Sequence, residues 1–84
     1  MKESKIETTI GLCVVSVTRF LMDKLCCNQE TAYRKLLTME LYQLLLDKET
    51  ALFLETNDYL CQACNIEYES GIEALYEFIN EENS

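Results

Sequence analysis

Residues 28–47, NQETAYRKLLTMELYQLLLD, decide the fold. The stretch has no Gly and no Pro, so nothing in it breaks a helix outright. Tyr33, Leu36, Leu37, Leu41, Leu44 and Leu45 recur at steps of three and four, which stacks them along one side of a 3.6-residue helix. Asn28 is a good N-cap, and Glu30 places negative charge where the helix dipole favours it. Thr38 could cap a second helix starting at Met39. The stretch therefore reads as one long helix, or as two with a kink at Thr38. Either way, it is the apolar surface on which the other segments must pack.

Upstream, Ser4 and Glu7 have capping-box spacing, and the helix they introduce is expected from about Lys5 to Leu25. Ile6, Ile10, Cys13, Val17, Phe20 and Leu21 form its main stripe. Leu12, Val14, Val15, Met22 and Leu25 widen the apolar surface to much of the circumference, so this helix needs cover on more than one side. The β-branched residues Thr8, Thr9, Ile10, Val14, Val15, Val17 and Thr18 suit a strand instead. Five turns of helical spacing favour the helix.

Downstream, Lys48–Thr50 reads as a polar turn. Ala51–Glu55 reads as extended or irregular chain, with Leu52 and Leu54 facing in and Phe53 opposite. Thr56 or Asn57 should cap a helix that carries Leu60, Ala63 and Cys64 and ends between Asn65 and Glu69. Ser70 and Glu73 form a second capping-box pattern. The helix after it should run to about Glu81, with Ile72, Leu75, Tyr76 and Ile79 as its stripe. Residues 1–4 and 82–84 read as polar ends, with fraying expected from Asn80. The sum is one all-α domain over 84 residues, a small bundle of four or five helices. A chain this short has a marginal core, yet 49% of it is apolar, so a contact face for a second copy is expected.

Charge divides the chain. Residues 1–48 hold seven basic and six acidic side chains, whereas 49–84 hold nine acidic and no basic ones. Phosphate backbones repel such a surface, which argues against nucleic acid as a partner. The acidic half reads as a solvated face, or as a docking surface for a basic protein. The apolar run Ile10–Val17 is too short to span a bilayer before Arg19 and Asp23, and no cleavage-site pattern follows it. With five cysteines, an odd number, the chain reads as cytoplasmic with reduced thiols.

Cys61 and Cys64, in Cys-x-x-Cys spacing, could join Cys26 and Cys27 as four zinc thiolates. Against that, CQAC lacks the tight turn of a zinc hairpin, and buried free cysteine is commonly inert. Glu67 with Glu69, or Glu73 with Glu77, could be drawn as acid–base pairs, but nothing confines them to a cleft. With no His and no Gly-rich loop, the usual catalytic dyads and phosphate cradles have no residues to build them. No enzymatic activity and no cofactor are expected. Val14, Phe20, Tyr42, Tyr76 and Phe78 are the candidate interface residues, since large amphipathic side chains suit contacts.

Three segments carry a resemblance: Leu41-Tyr42 through Leu45 and Asp47; Asn57-Asp58-Tyr59-Leu60; and Gly71 with Leu75, Phe78 and Ile79. Together, over roughly the last two-thirds of the chain, they resemble short uncharacterised bacterial helical proteins. Some of those are encoded beside toxin-like or mobile-element genes, which implies an antitoxin-like or adaptor role. The resemblance brings no catalytic residue.

Overall fold

The computed structural model describes residues 2–83, and side chains from 5 to 80. Five α-helices and one short 3-10 helix make up the fold, with no strand among the described residues. They are α1 (Lys2–Leu25), α2 (Gln29–Leu37), α3 (Glu40–Leu46), the 3-10 turn Leu52–Leu54, α4 (Asn57–Ser70) and α5 (Ile72–Asn83).

Helix α1 is the spine, packing against α2, α3, the 3-10 turn and α4. It begins at Lys2, so Ser4 lies inside the helix and does not cap it at Lys5. Ile10, Cys13, Val17 and Leu21 form its buried face, as their spacing requires. The β-branched residues do not turn this segment into a strand, because burial along one helical side outweighs their local preference. At its end, Cys26 takes a left-handed conformation (φ 51°), and the Cys27 N–H donates to the Met22 carbonyl at 3.2 Å. That 6→1 bond closes the helix end with Cys26 in the left-handed place glycine usually takes.

The central stretch is two helices. Asn28 Oδ1 accepts from the Thr31 N–H at 2.8 Å and starts α2. Thr38 ends α2 as its C-cap, its N–H and hydroxyl both donating to the Lys35 carbonyl. The cap position of α3 is Met39, extended and unable to cap with its side chain. The expectation that Thr38 caps the second helix is thus corrected by one residue. The break also divides the apolar stripe. Ala32 and Leu36 are the buried pair of α2 and Leu41 and Leu45 that of α3, while Tyr33 and Leu37 are left exposed.

Residues 51–55 are corrected as well. They form a 3-10 turn entered through Ala51 at φ 55°. Three residues per turn send the side chains in three directions, whereas an extended chain would alternate them. Leu52 and Phe53 are therefore both buried and Leu54 is 73% exposed. The Cys13 thiol donates to the Phe53 carbonyl at 3.5 Å, fastening the turn to α1. Thr56 caps α4, its hydroxyl accepting from the Tyr59 N–H at 3.1 Å.

Helix α4 runs past Glu69 to Ser70, and Gly71 joins it to α5 with φ 96°. The Gly71 N–H donates to the Glu67 carbonyl, and its own carbonyl accepts from the Leu75 N–H. Gly71 is thus the last link of one helix and the first of the next. Ser70 belongs to α4, so the Ser70–Glu73 capping box does not form. Helix α5 continues to Asn83, and Ser84 lies outside the described residues.

Candidate functional site

The outward side of α1 is the feature that the core does not use. Between the second half of α1 and α2 lies a recess of about 500 Å³, lined by Val14, Val15, Thr18, Arg19, Met22, Gln29 and Tyr33. A second recess, about 440 Å³, continues past Val14 and Tyr33 to Gly11, Tyr42 and Leu46, with Glu7 and Lys48 beside it. The two share Val14 and Tyr33, so they form one groove along α1. Val15, Tyr33 and Leu46 are 46%, 41% and 45% exposed, a run of large apolar surface that water covers poorly.

Local sequence explains the groove. Helix α2 buries Ala32 and Leu36, so Tyr33 and Leu37, one position further round, are turned outward. Helix α1 buries Val17 and Leu21 and leaves Val15 on its other side. The groove falls in the near-neutral half of the chain. The acidic charge lies beyond it, on residues from Glu49 onward.

The five candidate interface residues fall in different places. Val14 lines both recesses and Tyr42 lines the second, each half-buried with one side against the core. Phe20 is half-buried and packs on the core. Phe78 packs on Tyr59, ring centroids 4.9 Å apart. Tyr76 is 39% exposed, and its hydroxyl donates to the Glu40 carboxylate. That bond and burial raise its pKa above the ordinary phenol value. Of the groove residues, only Val14 and Tyr42 are among the expected interface residues; Glu7, Gly11, Val15, Arg19, Tyr33 and Leu46 are among those the expectation lacks. The wide apolar girth of α1 was the signal for this region, but it does not show which side stays open.

The cysteines are dispersed. Cys26 is exposed, Cys27 and Cys61 are half-buried, and Cys13 and Cys64 are buried, all as free thiols. Burial, with the nearby Cys61 and Glu67, pushes the Cys64 thiol up to about 12. Burial also raises Cys61, with Asp58 adding to it. Among the described residues, no three Cys, Asp or Glu side chains converge as a metal site. Cys26, Cys27, Cys61 and Cys64 therefore do not fit the zinc arrangement.

The proposed carboxylate pair is occupied otherwise. Glu67 accepts from the N–H groups of Glu40 and Leu41, at 2.7 and 2.8 Å. Glu69 pairs with Lys24 at 2.8 Å. Beside it, the ammonium groups of Lys24 and Lys35 stand 5.5 and 5.4 Å from the centre of the Tyr68 ring. These contacts bind α1, α2 and α3 to α4. No helix among the described residues is long and apolar enough to cross a membrane. No protein-family model matches this chain, nor does any curated protein or solved structure.

Proposed function

We propose that this protein is a non-enzymatic interaction module that pairs with itself through the groove on α1. One observation carries the reading: the two adjoining recesses expose Val15, Tyr33 and Leu46 as continuous apolar surface in the neutral half of an acidic chain. A molecule of net charge -8 repels its copies, so contact is least opposed where the local charge is smallest. The groove meets both conditions, being oily and near-neutral.

In this reading the five helices form a bundle whose outer side is completed by dimerisation, and the protein works in the cytoplasm with reduced thiols. The acidic half is then free for a basic protein partner, as an antitoxin-like or adaptor protein would use it. Size-exclusion chromatography with light scattering tests the reading on the wild type and Val15→Asp. An unpaired charge buried from each copy should leave the variant monomeric and folded. A wild type that elutes as a monomer at high micromolar concentration removes the self-pairing.

A further inference from the structure

The groove side of α1 carries a ridge that is complementary to its own reversal. Glu7, Gly11, Val15 and Arg19 follow one another at four-residue steps, all four exposed. Residues at that spacing form one ridge on a helix surface, and such ridges of two helices lie side by side at the commonest crossing angle. Read backwards, the ridge presents arginine, valine, glycine and glutamate. We infer that the second copy seats its own α1 on this ridge in antiparallel register, with the two-fold axis passing between Gly11 and Val15. Glu7 then meets Arg19 of the second copy, and Gly11 meets its Val15, each pairing occurring twice.

Three observations point to this occupant. Neither Glu7 nor Arg19 has an ion-pair partner among the described residues. They stand at opposite ends of the groove, Glu7 beside one recess and Arg19 beside the other. Gly11 is the third. Glycine inside a helix costs stability, roughly 0.5–1 kcal/mol relative to alanine. A Cβ added at Gly11 would meet nothing within 4 Å, so the chain's own packing does not require the glycine. Close approach of another helix does require it, because a missing side chain leaves a notch for the valine opposite.

This pairing deepens the self-association reading and rests on it, so the experiment separates the two. Sedimentation equilibrium is run on the wild type, Glu7→Arg, Arg19→Glu, the double variant and Gly11→Leu, each first shown helical by circular dichroism. All three positions are exposed, and leucine favours a helix more than glycine does, so the folded chain should survive every change. Either single reversal should weaken the dimer roughly tenfold, since it turns two attractive pairs into two repulsive ones. The double variant should return to within about threefold of the wild type. Gly11→Leu should weaken the dimer by at least about tenfold by filling the notch. A monomeric wild type overturns self-association itself. A wild-type dimer indifferent to the single reversals or to Gly11→Leu, or a double variant that fails to recover, overturns only this register.

Discussion

The Glu67 carboxylate accepts the backbone N–H of Leu41 at 2.8 Å, across 26 positions of sequence. Its other oxygen takes the Glu40 N–H at 2.7 Å, so one side chain of α4 caps the start of α3. Helix α3 has only seven residues, and its own cap position, Met39, makes no side-chain hydrogen bond. So short a helix does not hold itself in water. Borrowing its cap ties its formation to the docking of α4.

Glu67→Ala should therefore destabilise the protein by about 1–2 kcal/mol, by leaving two helix-start N–H groups without their acceptor. Glu67→Gln keeps one acceptor oxygen and should cost about half as much. Urea denaturation measures both. Equal midpoints for wild type and Glu67→Ala would show that the cap contributes nothing.

Cys26 ends α1 at φ 51°, a conformation that opposes any side chain with a Cβ. The exposed Cys26→Gly variant should be more stable by up to about 1 kcal/mol, the relieved strain exceeding the added freedom of the unfolded chain. Thermal unfolding checks this. A lower melting temperature would mean that the Cys26 side chain contributes more than its backbone strain removes.

Cys64 gives the protein an alkaline limit. Its thiol ionises near 9.0 ordinarily and at about 12 in the folded protein. Between those values the unfolded chain releases a proton that the folded chain keeps, so stability falls as pH rises. The contribution is whole below pH 9.0 and is lost progressively above it, with a slope of at most about 1.4 kcal/mol per pH unit. Denaturant midpoints measured from neutral pH upward should drop above that point, and Cys64→Ala should drop less steeply. Parallel curves would contradict the assignment.

Phe78 and Val15 should separate stability from association. Phe78 packs on Tyr59 and against the core, so Phe78→Ala should cost about 2–3 kcal/mol and leave the dimer mass unchanged at temperatures where the variant is folded. Val15 is exposed in the groove, so Val15→Asp should leave the melting temperature of the isolated chain nearly unchanged while removing the dimer. Differential scanning calorimetry of both, beside light scattering, reads the two effects apart.

Much of the helical order was legible because burial and spacing agree. Ile10, Cys13, Val17 and Leu21 keep helical spacing and are buried; so do Leu60 and Cys64. What was not legible depends on contacts made at a distance. Glu67 looks like any solvated glutamate until α4 docks on α3. Ser4 and Ser70 carry capping-box spacing, but that pattern is local and cannot see that α1 already runs from Lys2 or that Gly71 takes over the junction. A period of two hides Leu52 and Leu54; the single 3-10 turn keeps Leu52 hidden but buries Phe53 and exposes Leu54. The groove was legible only as excess: α1 has more apolar surface than one side can bury. The open side follows from Tyr33 turning outward, because α2 buries the neighbouring Ala32 and Leu36 instead.

Sedimentation equilibrium of the wild-type chain across a dilution series tests the central claim most directly. Pairing through the α1 groove predicts a mass of twice the 9.8 kDa chain at micromolar concentration, falling to that of one chain on dilution. A constant 9.8 kDa at every concentration, with the helical spectrum intact, would contradict it.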